Sequence, residues 1–171
     1  MEREILEIFE RITEKYQVPI RVGSRCEANI YYRVDDLSPE DIEFLARYIA
    51  ERIRKVCSAG YPEALINLPG SYSGLASMLA VELGEPERPL EVIDADKVTS
   101  MNGNSARLKN LPVILVNDVI TTARSCLEAH TKITCTGAQI MCWAALVDRT
   151  FGPGPVPVVA SYTGAPVTLL E

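Results

Sequence analysis

The sequence has few of the residues that build metal centres and disulfide frameworks. It contains one histidine and five cysteines, and no two cysteines have the Cys-x-x-Cys spacing. An odd, scattered set of cysteines argues against both a disulfide framework and a zinc site. We therefore expect reduced, partly buried thiols in a cytoplasmic protein. The single histidine, His130, is expected on a helix surface.

Other absences concern the partners of the chain. The net charge is −6, with 17 basic and 23 acidic residues, and no block of Lys and Arg stands out. This balance argues against a nucleic-acid partner. No apolar run approaches the ~18 residues of a membrane span, and the charged segment 1–15 is unlike a signal peptide. Because no Gly-x-Gly-x-x-Gly follows a predicted strand, a Rossmann dinucleotide domain is also disfavoured. We expect small-molecule substrates, no nucleic acid and no membrane.

What the chain does contain is an α/β pattern. Predicted strands and helices alternate over 171 residues, a length that indicates one domain spanning 1–171. Segment 20–32 is irregular or strand-like, and segment 94–110 has no periodicity. The predicted helices are 2–16, 39–56, 75–83 and one that begins with 126–132, and the predicted strands are 64–68, 90–93, 113–116, 138–147 and 156–160.

Two local signals are strong. Ser38 is a predicted N-cap, Pro39 follows at the first helical position, and Asp41 completes a variant of the capping box. Val113–Val116 is an unbroken run of β-branched and aliphatic residues, which is typical of a strand buried on both faces of a parallel sheet.

A group of polar residues follows that buried strand. Asn117 and Asp118 are predicted at its C-terminal end, where open α/β sheets bind ligands. Thr121, Thr122 and Ser125 come next, before a predicted helix whose N-terminus offers unpaired N–H groups to an anion. Hydroxyls, N–H groups and the charge of Arg124 suit a phosphate monoester, and Asn117 and Asp118 suit a vicinal diol. The stretch therefore indicates a ribose 5-phosphate site, and the alternative is a buried strand followed by an ordinary polar turn.

Two further segments contain candidate site residues. Gly70, Ser71, Tyr72 and Ser73 form a second loop between a strand and a helix, which is either an anion loop or an ordinary turn. A cluster of basic and aromatic residues lies in 20–33. It is either an edge hairpin with solvated arginines or a cap over a planar substrate. The cluster comprises Arg21, Arg25, Tyr31, Tyr32 and Arg33.

Val113–Ser125 resembles the phosphoribosyl diphosphate (PRPP) motif of type I phosphoribosyltransferases. The chain is most similar to the orotate phosphoribosyltransferases of that family, through Ser24-Arg25, Tyr31-Tyr32, 137–149 and 156–163. The resemblance implies a five-stranded parallel sheet flanked by helices, with a small hood from 17–37 and the C-terminal segment. It also implies a homodimer and a Mg²⁺-dependent reaction in which orotate and PRPP give orotidine 5′-monophosphate and diphosphate, a step of pyrimidine biosynthesis.

The resemblance also implies a role for individual residues. Lys97 and Asp118 would be catalytic, and Mg²⁺ would be held mainly through PRPP rather than by protein side chains. The ribose phosphate would lie on Asn117, Asp118, Thr121, Thr122, Ala123, Arg124 and Ser125. The diphosphate would lie on Gly70, Ser71, Tyr72 and Ser73. The base would contact Arg149, which would pair the orotate carboxylate, and Thr121, Tyr31, Tyr32 and Arg25.

The chain departs from the family pattern at three places. Asn117 stands at a position that is usually acidic, Ala123 stands where the loop usually has glycine, and segment 94–110 matches the family's cationic catalytic loop only at Lys97. These departures leave two hypotheses open. The chain is either an orotate-type enzyme or a non-catalytic, regulatory protein that binds PRPP or a ribonucleotide.

Overall fold

The computed structural model describes residues 1–22, 26–57, 60–85, 87–98, 104–150, 154–165 and 167–169. The helices are α1 (Glu2–Arg11), α2 (Pro39–Val56), α3 (Ser73–Leu83), α4 (Asn104–Arg107) and α5 (Arg124–Thr134). The strands are β1 (Thr13–Arg21), β2 (Cys26–Tyr32), β3 (Ala64–Asn67), β4 (Glu91–Asp94), β5 (Pro112–Ile120), β6 (Gln139–Asp148), β7 (Val158–Thr163) and β8 (Thr168–Leu169).

The centre of the molecule is a parallel sheet with the strand order β4-β3-β5-β6-β7. The predicted α/β class and five-stranded parallel sheet are therefore confirmed. The order places β5 in the middle, so the polar end of this strand lies between the ends of β3 and β6. Side chains from three strands can thus meet at one edge of the sheet.

Both faces of the sheet are covered, as the unbroken apolar run of β5 predicts. Ile114 and Val116 pack on one face in a core shared with α1, α2 and α3. Val113 and Leu115 pack on the other face with residues of α5. All four side chains are at most 1% exposed, because successive residues of a strand point to opposite faces.

A three-stranded antiparallel sheet in the order β1-β2-β8 forms the hood. The predicted helix over 2–16 is wrong beyond Arg11, because Thr13 already begins β1 and pairs with Tyr32. Ile12 and Tyr16 fit the helical period, but pairing with β2 outweighs this local preference. Pro19 is accommodated where the register of the two strands shifts, between Lys15 and Ile20. The hood thus begins at Thr13, before the predicted residue 17.

Most of the remaining elements agree with the predictions in kind, several differ at their ends, and a few short ones were not predicted. Helix α2 has the predicted bounds, and its capping box joins Ser38 and Asp41 in both directions. Strand β5 extends to Ile120, so Asn117 and Asp118 lie within it rather than after it. Segment 94–110 contains a 3₁₀ turn (Ala95–Val98) and α4, and the short strand β8 was not predicted.

Candidate functional site

A cleft of about 790 Å³ separates the hood from the C-terminal edge of the parallel sheet. The sheet contributes Asp118 and the loop that follows β5, and the hood contributes both tyrosines of β2. The cleft therefore joins the two segments that the sequence marks as candidate sites. Its polar and aromatic lining includes Arg21, Tyr31, Tyr32, Asp35, Gly70, Asp118, Thr121, Thr122, Arg124, Ser125, Glu128 and Arg149.

The loop after β5 has the geometry of an anion site. Thr121, Thr122 and Ser125 all line the cleft, and α5 begins at Arg124. The first N–H groups of a helix have no intrahelical partner, and the helix dipole is positive there. Two threonine hydroxyls and a helix N-terminus at one end of the cleft suit a phosphate group. Arg124 also lines the cleft, and its Nε lies 2.8 Å from the Glu128 carboxylate.

Ala123 adopts a left-handed backbone conformation at the N-cap of α5, with φ 57° and ψ 0°. A Cβ makes this region unfavourable by ~1–2 kcal/mol, which glycine avoids. The resemblance predicts glycine at this position, and the positive φ gives the physical reason. Ala123 thus adopts a backbone conformation that glycine adopts without strain.

Ala123→Gly should raise the free energy of unfolding by about 1 kcal/mol and tighten phosphate binding, because it removes the strain at positive φ. Chemical denaturation and calorimetric titration with a nucleoside 5′-monophosphate measure the two effects. Ala129→Gly, inside α5, is the matched control and should lower stability by about 1 kcal/mol. A loss of stability in Ala123→Gly would show that packing of the Ala123 methyl outweighs the strain.

Asp118 connects the two predicted anion loops. One carboxylate oxygen accepts from the N–H of Val119 at 2.6 Å, and the other accepts from the N–H of Tyr72 at 3.3 Å. Burial raises the pKa of the Asp118 carboxyl, and these N–H groups oppose that rise. Asp118 therefore holds the start of α3 against β5 while its side chain lines the cleft.

Asn117 lies on the other side of β5 from the cleft. Its side chain is 8% exposed, its oxygen accepts from the N–H of Asp118 at 2.9 Å, and its nitrogen lies 3.7 Å from Cys126 Sγ. Asn117 does not line the cleft. A neutral amide suits this buried position because an ionised carboxylate would lose its hydration there.

The predicted diphosphate loop turns sharply at Gly70, where φ is 76°. The Ser71 hydroxyl donates to Asn67 Oδ1 at 2.7 Å and is 2.6 Å from the Leu68 carbonyl oxygen. Gly70 borders the main cleft and also a smaller pocket of about 240 Å³, which Ser71 lines. Tyr72 and Ser73 line neither space. Tyr72 occupies the N-cap position of α3, and Ser73 is the first residue of that helix.

Lys97 lines the smaller pocket together with Asp94 and Asp96. Its ammonium nitrogen is 2.7 Å from Asp94 Oδ2. This pair raises the pKa of Lys97 and lowers the pKa of Asp94. The structure thus places Lys97 beside the predicted diphosphate loop, in a pocket that also contains two carboxylates.

The hood wall of the cleft is aromatic. Tyr31 is 43% exposed, whereas Tyr32 is 4% exposed and accepts from the N–H of Ala165 at 3.0 Å through its hydroxyl. The Arg149 guanidinium lies 5.4 Å from the centre of the Tyr32 ring. Tyr31 therefore offers an open ring face to a planar ligand, and Tyr32 also supports the hood. Arg25, predicted at the base, lies outside the described residues.

The structure adds a cleft residue that sequence reasoning missed. Asp35 lies in a 3₁₀ turn (Val34–Asp36) directly after β2 and lines the cleft. Its negative charge contributes to the raised pKa of Asp118, after burial. The sequence feature that could have indicated Asp35 was its position three residues after Tyr32.

Among the described residues, no group of three or more His, Cys, Asp or Glu could hold a metal ion.

The chain is similar in fold to solved phosphoribosyltransferases. An orotate phosphoribosyltransferase from Aeropyrum pernix matches at a TM-score of 0.65 and 20% identity over 95% of this chain and 94% of that one. An adenine phosphoribosyltransferase from Leishmania donovani matches at 0.67 and 14% identity over 93% and 79%. The chain has the type I phosphoribosyltransferase fold.

A third solved structure similar to the chain is a hypothetical protein from Neisseria gonorrhoeae with bound ppGpp. It matches at a TM-score of 0.56 and 18% identity, over 75% of this chain and 82% of that one. No protein-family model and no curated protein matches the chain. No helix in the described ranges is long and apolar enough to cross a membrane.

Proposed function

We propose that the chain transfers the phosphoribosyl group of PRPP to orotate or a related base and releases diphosphate. The observation that carries this proposal is the composition of the main cleft. One end has the Thr121–Ser125 loop at a helix N-terminus, and the hood wall has Tyr31, with Asp118 on the sheet edge. Phosphate, ribose diol and planar base each meet a suitable group in one space.

The proposed reaction breaks the bond between ribose C1 and the diphosphate oxygen and forms a bond from C1 to a ring nitrogen of the base. That nitrogen loses its proton to solvent or to the leaving diphosphate. The loop N–H groups and the hydroxyls of Thr121 and Thr122 would hold the 5-phosphate. Asp118 would accept from a ribose hydroxyl. The developing charge on the diphosphate needs positive groups aimed at it, and Lys97 beside the Gly70–Ser71 loop is the candidate.

Mg²⁺ would enter with PRPP. Mg²⁺ sites commonly combine one or two carboxylates with substrate phosphates and waters. Asp118 in the main cleft and Asp94 in the smaller pocket are carboxylates that could take part. A bound Mg²⁺ would neutralise part of the diphosphate charge. The proposal also includes a homodimer, a cytoplasmic location and a role in pyrimidine biosynthesis, as the resemblance implies.

A second candidate is a protein that binds a ribonucleotide without transferring the phosphoribosyl group. The specific observation in its favour is the charge of the smaller pocket, where Lys97 is accompanied by Asp94 and Asp96. One cation beside two carboxylates repels a free diphosphate. The neighbour with bound ppGpp supports this candidate in so far as its fold also holds a ribonucleotide.

Spectrophotometric measurement of base consumption with PRPP and Mg²⁺, for orotate and for related bases without a carboxylate, tests the proposal beside calorimetric titration of each ligand. Turnover supports the enzyme. Binding of PRPP or a nucleotide without turnover of any base supports the second candidate. Absence of both binding and turnover would contradict the assignment of the cleft.

Thr122→Val should weaken binding of PRPP or a nucleoside 5′-monophosphate by about 1–3 kcal/mol, the scale for losing a hydrogen bond to a charged group. The variant keeps the β-branched shape of Thr122 and removes only its hydroxyl. Calorimetric titration measures the change. Thr131→Val is the matched control, because the Thr131 hydroxyl donates to the Leu127 carbonyl oxygen within α5. Equal affinities for wild type and Thr122→Val would argue against the phosphate site.

A further inference from the structure

The guanidinium of Arg149 is largely engaged by the hood. Its Nε donates to the carbonyl oxygen of Ala165 at 2.6 Å, and its Nη1 donates to the carbonyl oxygen of Ile30 at 3.2 Å. The residue is 2% exposed. Two of its three nitrogens thus bond to backbone, which leaves less of the planar fork for a carboxylate that needs two parallel bonds.

Asp35 brings a negative charge to the same wall of the cleft. Its neighbours in the 3₁₀ turn bring no negative charge to the cleft. Val34 lines the cleft with an apolar side chain that is 7% exposed, and Asp36 lies 2.9 Å from Arg33 and does not line it. Asp35 lines the cleft together with Tyr31 and Tyr32. Asp118 lines the same cleft, so a ligand in it is exposed to both carboxylates.

We propose that Asp35 is a specificity-determining residue which selects a base that carries amino or ring N–H donors and no carboxylate. This inference rests on the proposed function and narrows its acceptor to related bases other than orotate. An ionised carboxylate only accepts hydrogen bonds, so it pairs with an amino group and repels a second carboxylate. Arg21 of the hood also lines the cleft. Its positive charge would attract a carboxylate on the base and so act against the selection by Asp35.

The test measures calorimetric affinities for three nucleotides that share the ribose 5-phosphate. Orotidine 5′-monophosphate and uridine 5′-monophosphate differ only by the carboxylate. Cytidine 5′-monophosphate has an amino group in place of the C4 carbonyl of uridine 5′-monophosphate, and its N3 carries no hydrogen. Wild type should bind the uridine and cytidine nucleotides at least about 10-fold more tightly than the orotidine nucleotide, the ratio that 1.4 kcal/mol of repulsion produces.

Asp35→Asn should change the affinities in opposite directions. Removing the charge should strengthen orotidine 5′-monophosphate binding and weaken cytidine 5′-monophosphate binding, each by about 3-fold to 10-fold. Asp36→Asn is the matched control, because Asp36 is the adjacent acid, pairs with Arg33 and does not line the cleft. It should leave the ratios unchanged. A variant that only loosened the hood would weaken all three nucleotides together.

Each other outcome overturns the inference in a distinguishable way. Tighter binding of orotidine 5′-monophosphate than uridine 5′-monophosphate by wild type would show that a cation reads the carboxylate, and Arg21→Gln would show whether that cation is Arg21. Equal ratios in wild type and Asp35→Asn would show that Asp35 does not contact the base. Failure of all three nucleotides to bind would overturn the proposed function together with the inference.

Discussion

Lys97→Ala should lower kcat about 100-fold while changing PRPP affinity by much less. A cation that contacts the diphosphate mainly as its negative charge develops stabilises the transition state more than the bound substrate. Loss of one such group lowers kcat by about 10²–10³. Lys97 is placed for this role beside Gly70 and Ser71 in the smaller pocket. Steady-state kinetics for kcat and calorimetry for PRPP binding separate the two effects.

The ion pair between Lys97 and Asp94 provides a second substitution at the same site. In the enzyme, the ammonium must exchange the Asp94 carboxylate for the leaving diphosphate. The side chains of Lys97 and Asp94 are largely exposed, at 72% and 50%, so their ion pair contributes little to stability. Breaking it to contact the diphosphate therefore costs little free energy. Asp94→Asn should therefore leave the fold intact and remove this ion pair.

Lys109→Ala is the control for the loss of one positive charge. Lys109 is exposed and follows α4, and it lines neither pocket. Its removal should leave kcat unchanged. Equal losses in the two variants would indicate a general electrostatic effect. A wild-type protein without turnover, whose nucleotide affinity Lys97→Ala does not alter, would support the non-catalytic binder.

Arg149→Ala should lower the free energy of unfolding by about 2–4 kcal/mol. The substitution removes the donors that satisfy the carbonyl groups of Ile30 and Ala165, and each buried acceptor left unsatisfied costs about 1–3 kcal/mol. It also removes the guanidinium packed on Tyr32. Because Ile30 lies in the hood and Arg149 directly follows β6, the loss should loosen the hood. Denaturant titration measures the change.

Arg52→Ala is the matched control for that measurement. The Arg52 guanidinium lies 5.6 Å from the centre of the Tyr48 ring, but this pair lies on the exposed side of α2. Exposed contacts of this kind contribute about 0.5–1 kcal/mol, so the variant should change stability by no more than that. An equally small effect of Arg149→Ala would show that water replaces the guanidinium at the two carbonyls.

Arg149→Lys separates a structural role from contact with the base. Lysine keeps the charge and loses the planar fork. If the variant remains folded but loses affinity for orotidine 5′-monophosphate alone, Arg149 reads the carboxylate, as the resemblance predicts. Equal loss for all nucleotides would place its effect in the hood. The experiment therefore also bears on the selection that we propose for Asp35.

The sequence by itself determined the elements whose signals are local. The apolar run of Val113–Val116 specifies a strand buried on both faces, and Ser38, Pro39 and Asp41 specify the start of α2 through hydrogen bonds within one turn. The alternation of strands and helices also indicated the parallel sheet. These features could be predicted because hydrophobic periodicity and helix capping depend on residues close together in the sequence.

Only the tertiary structure decided the features that depend on distant partners. The segment after Arg11 has a helical period but becomes β1, because β2 supplies hydrogen bonds that the local sequence cannot reveal. Asn117 and Asp118 are adjacent and polar, yet one packs toward Cys126 and the other toward the cleft, because strand residues alternate in direction. Asp35 enters the cleft, and Arg149 bonds to Ile30, only because folding brings the hood over the sheet edge. Those contacts join residues far apart in sequence, so their geometry is a property of the whole fold.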